Sequence, residues 1–277
     1  MISVIIPTCN RNDLLSKCLD FLSSVNQSVT DSYEVIVTDD SKDNQARTLV
    51  EERYNWAKWI SGPKKGPAAN RNNGAAYAGG EWLVFIDDDV LPDRNVLQQY
   101  QTAIQQQPDS LAFEGSIIPD DWGLMKKEMA ECPINTEGNC FWSANVCINK
   151  GLFERIGGFD ESYLIAAQED QDIFEKLKKV TKIPFLQNCV VIHPVRFRSF
   201  DNRLKKIRIE FANWIYYTKK HSNRTIKNHL WQCVTDYIRI AVKDLLKLRF
   251  RLFVLDIIKS FYSLYLFFTY RNNSSQA

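Results

Sequence analysis

The stretch WLVFIDDD at residues 82–89 decides how the rest of the chain is read. Val84, Phe85 and Ile86 sit at the centre of five apolar residues with no polar alternation, which predicts a strand buried on both faces. Asp87, Asp88 and Asp89 follow at once. Unpaired charges are costly to bury, so these carboxylates belong where the strand leaves the core, at the carboxyl edge of a sheet. Crowding like charges costs energy that folding alone does not require, and a divalent cation bound through oxygen would offset it. From the residues alone, a solvated acidic loop is the plainer alternative.

Working outward, residues 2–6 (ISVII) and 33–38 (YEVIVT) read as further buried strands, the second ending in Asp39-Asp40-Ser41. Between them, Asn12 or Asp13 is placed to cap a helix whose apolar positions Leu14, Leu15, Cys18, Leu19 and Leu22 keep helical spacing. A helix over 43–53 and a short strand near 58–61 come next. Pro67 suits the first turn of a helix over 68–78 that Gly79-Gly80 stops. Beyond the aspartates the pattern predicts a helix at 94–107, strands at 111–118 and 141–148, and a short helix capped by Asn149. A Gly157-Gly158 turn, a helix at 168–180 and one or two strands over 183–192 follow. Residues 119–140 are polar and irregular, as expected of a mobile or substrate-covering loop. This alternation predicts an α/β three-layer sandwich with a mostly parallel sheet over residues 1–200.

From residue 201 to 277 the pattern is helical, basic and amphipathic, suited to membrane association or oligomerisation. The chain of 277 residues has a net charge of only +2, yet between Arg203 and Arg271 fifteen basic side chains face four acidic ones. The preceding part is therefore acidic. The longest charge-free run in the tail, residues 260–270, is short of the roughly 20 residues that span a bilayer. That favours a helix lying in the plane of an anionic surface, or a contact between copies of the chain. Seven cysteines with no CxxC pair point to reduced thiols, with Cys9, Cys18, Cys147 and Cys189 expected mostly in apolar surroundings. The start of the chain shows no secretory pattern, so a cytoplasmic setting, peripheral on the inner face of the cell membrane, is expected. The sequons at Asn26, Asn223 and Asn272 are then accidental.

Six motifs stand in order: VIIPTCNR, VTDDS, GPAANRNNGA, FIDDDV, GGFDE and QEDQD. Together they resemble the family 2 glycosyltransferases, inverting enzymes of the Rossmann-like GT-A fold, over roughly residues 1–200. The resemblance implies a nucleotide-sugar donor of UDP or dTDP type and a glycan or lipid-linked acceptor. It also implies Mn2+ or Mg2+ held by Asp89, with His193 as a further metal ligand. Pro7, Thr8 and Arg11 would border the nucleotide, Asp40 would accept a hydrogen bond from the base, and Asp87 would contact the ribose. Asp88 fills the variable middle position. Arg71 would face the base or the diphosphate. Asp170 maps to the general base, with Glu169 and Asp172 orienting it or meeting the acceptor. Trp142 is a candidate sugar wall, although a core tryptophan is the commoner fate, and Asp160 is expected to fix the loop beneath the acceptor.

Two other readings use the same acids. A nucleotidyltransferase or two-metal phosphodiesterase would use the basic tail to hold nucleic acid, and a non-catalytic sugar-nucleotide-binding subunit would bind without turnover. The intact pattern at Asp40, Asp87, Asp89 and Asp170 counts against an inactive relative, and no nucleic-acid partner is expected. No QxxRW motif is present, so transfer of one sugar per acceptor is expected.

Overall fold

Alternate residues of the two central strands enter opposite cores, which makes the first part of the molecule a three-layer structure. In β1 (Ile2–Thr8) and β4 (Trp82–Ile86), Val4, Ile6, Val84 and Ile86 join one apolar cluster, while Ile5, Leu83 and Phe85 join the other. The computed structural model describes residues 1–29, 31–163, 165–222 and 224–270, so the sequons at Asn223 and Asn272 lie outside the described residues.

Two units divide the chain. The first comprises residues 1–121 and 132–194, and the second residues 122–131 with those from 195 onward. The first unit contains β1, α1 (Asn12–Leu22), β2 (Tyr33–Asp39), α2 (Gln45–Arg53), β3 (Lys58–Ser61), α3 (Pro67–Ala76) and β4. It continues with β5 (Leu91–Pro92), α4 (Val96–Gln106) and β6 (Ala112–Pro119). The short β7 (Ala130–Glu131) falls in the second unit. Then come β8 (Asn145–Asn149), α5 (Lys150–Arg155), α6 (Glu169–Leu177) and β9 (Phe185–His193). The sheet order is β3-β2-β1-β4-β8-β6-β9-β5. The first four strands are parallel, β8 runs antiparallel between β4 and β6, and β9 is parallel to β6. Carboxyl ends of β1, β2 and β4 therefore open on one edge.

Several local expectations change. Arg11 takes the cap position of α1, its carbonyl accepting from Leu14 and Leu15, and the Asn12 side chain instead donates to the Gln45 carbonyl at 3.0 Å. Neither Asn12 nor Asp13 caps the helix. The strand expected from 141 begins at Asn145, because Phe141 has φ +47° and cannot continue a ladder. Cys9 is exposed, whereas Cys18, Cys147 and Cys189 are buried, and all seven thiols are free. The irregular segment 119–140 is divided between the units. Asn149 does cap α5, accepting from Leu152 N–H at 3.1 Å.

In the second unit, β10 (Arg196–Phe197) pairs with β7, and α7 (Phe200–His221), α8 (Ile226–Leu246) and α9 (Phe250–Thr269) surround a cluster that includes Ile207, Phe211, Leu230 and Leu255. Asp256 is buried at 8 % exposure, 3.8 Å from Lys259, and burial pushes its pKa up to about 6.

Helix α3 lies so close to the sheet that a methyl group on Gly74 would overlap Ile5 Cγ2 and stand 3.2 Å from Thr38 Cγ2. Alanine is the better helix former by about 1 kcal/mol, but forcing a methyl into a packed core costs about 1–3 kcal/mol. Gly74→Ala is therefore expected to lower the urea midpoint. A raised midpoint would show that β1 and α3 can separate without penalty.

Candidate active site

At the carboxyl edge the three aspartates after β4 go to different partners. Asp88 is buried, accepting from Thr8 Oγ1 at 2.7 Å and from Arg11 Nη1 at 3.0 Å. Burial raises its pKa, with Arg11 and Thr8 pulling the other way. Asp89, also buried, receives Arg11 Nη1 at 3.2 Å and has His193 Nε2 3.5 Å from Oδ1. Asp87 remains partly open and is bound by Arg71 Nη2 at 2.9 Å. Thr8 and Arg11 thus meet the aspartate cluster, while Pro7 stays within β1.

The two aspartates after β2 divide structural and exposed duties. Asp39 is fully buried, accepting from Ser41 N–H at 2.9 Å, Ser41 Oγ at 2.5 Å and Ala46 N–H at 3.2 Å. It anchors the entry to α2. Asp40 accepts the Lys64 N–H at 2.8 Å and the Gly66 N–H at 3.2 Å. Burial raises its pKa against those two donors.

The NRNN run in α3 fastens several elements at once. Asn70 accepts from Thr38 Oγ1 at 2.6 Å and donates to the Thr38 carbonyl at 2.9 Å. Asn72 exchanges two hydrogen bonds with the Phe159 backbone, at 2.9 and 3.0 Å. Arg71 is 4 % exposed, so it does not lie on an open helix face. Its Nη1 reaches Glu169 at 3.2 Å while Nη2 holds Asp87, joining the carboxylates at the end of β4 to those at the start of α6. Burial alone would lower its pKa. Asp87, Asp170 and Glu169 outweigh that and keep it charged. With both terminal nitrogens so engaged, the guanidinium braces carboxylates where the sequence reading turned it towards base or diphosphate.

Asp170 is half-buried, and its Oδ2 accepts the Ser143 N–H at 3.2 Å. Burial raises its pKa, Asp87 adds to the rise, and Arg71 and Ser143 moderate it. Asp172 is fully buried and pairs with Lys176 on its own helix at 3.4 Å, so it cannot meet an acceptor. Trp142 packs partly buried against the core cluster. Asp160 accepts the Ser162 N–H at 2.9 Å, a local turn contact. Asn70, Asn72 and Ser143 escaped the sequence reading. The first two lay in a quoted motif and were detectable, but Ser143 acts through its backbone and leaves no side-chain signal.

The donor set at Asp89 suits a cation. His193 Nδ1 lies 2.9 Å from the Pro194 carbonyl, which fixes the proton there and leaves Nε2 as a lone pair facing the Asp89 carboxylate. Burial lowers the His193 pKa, favouring that neutral form. A cation between the two acceptors would turn an unfavourable contact into two bonds. Among the described residues no group of three or more His, Cys, Asp and Glu forms a complete metal site.

Residues 3–153 match the family described as Glycosyl transferase family 2. A curated relative is the GalNAc(5)-diNAcBac-PP-undecaprenol beta-1,3-glucosyltransferase of Campylobacter jejuni. It is 31 % identical over 135 residues, covering 47 % of this chain and 42 % of that enzyme. Among solved structures, S. aureus TarS 1-349 in complex with UDP-GlcNAc has a TM-score of 0.58 at 17 % identity, covering 98 % of this chain and 93 % of that one. The mannosyltransferase PcManGT of Pyrobaculum calidifontis, in complex with GDP-Man and Mn2+, has a TM-score of 0.60 at 18 % identity, covering 95 % and 74 %. These likenesses establish the GT-A fold.

Glu169 has a pKa raised from 4.5 to about 7, chiefly by burial, then by Asp170, with Arg71 opposing. The folded state therefore binds the proton more tightly than the unfolded chain. The contribution of Glu169 to stability falls as pH rises from about 4.5 to about 7 and levels off above that. Glu169→Gln is expected to flatten this fall, measured as urea midpoints between pH 5 and 8. Equal slopes in both proteins would place the proton elsewhere.

Proposed function

The chain belongs to glycosyl transferase family 2, and from that membership we propose a metal-dependent inverting glycosyltransferase that uses a UDP- or dTDP-sugar. The acceptor is a hydroxyl of a glycan or lipid-linked glycan, in surface polysaccharide or glycoconjugate synthesis. One observation carries this reading: Asp170 is half-open, raised in pKa and fixed by the Ser143 N–H, with Arg71 linking its neighbourhood to Asp87. A base with a raised pKa is better matched to work near neutral pH.

In the reaction the acceptor O–H proton passes to an Asp170 oxygen as the acceptor oxygen bonds to the anomeric carbon. The bond from that carbon to the diphosphate oxygen breaks on the opposite side, and the diphosphate leaves with the electron pair, inverting the centre. Asp89 and His193 would hold Mn2+ or Mg2+, which supplies charge stabilisation for the departing diphosphate. Asp87 accepts from the ribose. Asp40 faces the base, its Lys64 and Gly66 donors fixing its orientation. Arg11 holds Asp88 and Asp89 in place beside the nucleotide.

We assign the second unit to a membrane surface. Trp231, Ile238, Val242 and Leu245 recur on one side of α8, and Phe250, Val254, Phe261, Tyr265 and Phe268 on one side of α9, all exposed. By length and composition α9 could also cross a bilayer. Its polar stripe of Asp256, Ser260 and Ser263 is buried within the unit, and Ser260 donates to the Val234 carbonyl, which favours lying in the plane. Together with a lipid-linked acceptor this gives a peripheral enzyme on the cytoplasmic face.

A panel of UDP-, dTDP- and GDP-sugars with Mn2+ is expected to give a thermal shift with a UDP- or dTDP-sugar that is lost with chelator and in Asp89→Ala. Asp170→Asn should keep that shift while turnover falls by about 10²–10⁴-fold. Absence of any shift, or turnover surviving in Asp170→Asn, overturns the assignment. Vesicles containing phosphatidylglycerol should sediment the chain at low salt and release it at high salt. A dimer that ignores vesicles would give the apolar faces to a second copy.

A further inference from the structure

Glu114 stands on β6, apart from every acid in the sequence motifs, and is 2 % exposed. Its oxygens collect four donors. Oε1 takes the Asn139 N–H at 2.5 Å, and Oε2 takes Phe141 N–H at 2.9 Å, Asn135 Nδ2 at 3.1 Å and Cys140 N–H at 3.2 Å. Three successive backbone N–H groups converging on one anion form a nest, here filled by a side chain of the same protein.

The loop so held is one that the chain does not adopt cheaply. Gly138 has φ +83°, Asn139 +65° and Phe141 +47°. Left-handed backbone at a residue other than glycine is strained and persists only where surroundings enforce it. The Glu114 carboxylate supplies that enforcement, helped by Asn135 Oδ1, which accepts the Gly138 N–H at 2.9 Å.

What the loop does next gives the clamp its meaning. Phe141 stacks on Phe174 of α6, with centroids 5.7 Å apart and planes 6° from parallel. Gln171 Nε2 donates to the Cys140 carbonyl at 2.7 Å, and Ser143 N–H holds Asp170 Oδ2. All three contacts land on α6, around Asp170. We infer that Glu114 is a positioning residue, fixing residues 138–143 and through them the orientation of the Asp170 carboxylate towards the acceptor. The inference rests on the reading of Asp170 as the base.

Glu114→Gln keeps the shape but leaves one acceptor oxygen and turns an NH2 towards a backbone N–H. The full chain would be assayed for UDP affinity with Mn2+ by calorimetry, for UDP release from the sugar nucleotide that scores in the panel, and for amide hydrogen exchange. A misplacement of about 1 Å costs about 10²-fold in rate. The expected result is thus a kcat lower by about 10²-fold, a UDP Kd within about twofold of the parent, and faster exchange at 139–143 alone. Glu114→Asp, which restores the charge, should recover part of kcat. Should Glu114→Gln not fold, Gly138→Ala tests the same loop. Its new methyl would meet Phe185 Cβ at 2.9 Å and Glu114 Oε1 at 3.0 Å, and the same split of kcat from Kd is expected.

Unchanged exchange at 139–143, or kcat and UDP affinity falling together without rescue by aspartate, overturns the clamp. Asp170→Asn separates this from the parent reading. Turnover lost in Asp170→Asn but kept in Glu114→Gln removes the clamp alone, whereas turnover kept in Asp170→Asn removes the base and the catalytic role of the clamp with it.

Discussion

One buried guanidinium holds the candidate site together. Arg71 holds carboxylates from the end of β4 and the start of α6, Glu169 standing 98 residues from it in sequence. Taking a charge of either sign out of water is expensive, and removing one member of such a group strands the others at a cost of about 3–5 kcal/mol. The arrangement therefore constrains in both directions. Asp87 and Glu169 can crowd the same edge because Arg71 is there, and Arg71 can be buried because they are. Asp170 gains a neighbouring positive charge without a direct bond that would occupy it.

The sheet explains why these groups meet. Four parallel strands carry their carboxyl ends to one edge, and two of them, β2 and β4, finish in aspartates. Helix α3 can reach that edge only because Gly74 lets it approach β1 and β2 closely. Its NRNN run then fastens the end of β2 through Asn70, the carboxylates through Arg71, and the loop before α6 through Asn72. Packing and chemistry are set by the same ten-residue helix.

Much of this was legible beforehand, for identifiable reasons. Continuous apolar runs such as ISVII and WLVFI announce strands covered on both faces, and such strands place the acids that follow them. Where the sequence misled, a tertiary contact had intervened. The cap expected at Asn12 or Asp13 is one case: Arg11 takes that position, because the Asn12 side chain donates to the Gln45 carbonyl instead. Asp172 shares its helix start with Asp170, but lies on the face turned to the core. Side-chain patterns also could not reveal a backbone donor, so Ser143 was invisible. Glu114 was hidden for the same reason, since three of its four partners are main-chain N–H groups.

Backbone strain flanks Asp170 on both sides, and it bears on how that carboxylate is held. Phe141 and Gln168 both have positive φ, the one leading into Trp142-Ser143 and the other into Glu169-Asp170. A regular strand or helix through either point would carry Asp170 or its Ser143 donor to a different place. Holding both segments in unfavourable backbone requires stabilisation from elsewhere, and it is present in the Phe141–Phe174 stack and in the donors gathered by Glu114. Apolar packing and an internal anion thereby stabilise a fixed, half-buried carboxylate. Water would otherwise solvate it freely and hold its pKa low. The raised proton affinity of Asp170 is thus a property of the loop and helix around it as much as of the residue itself.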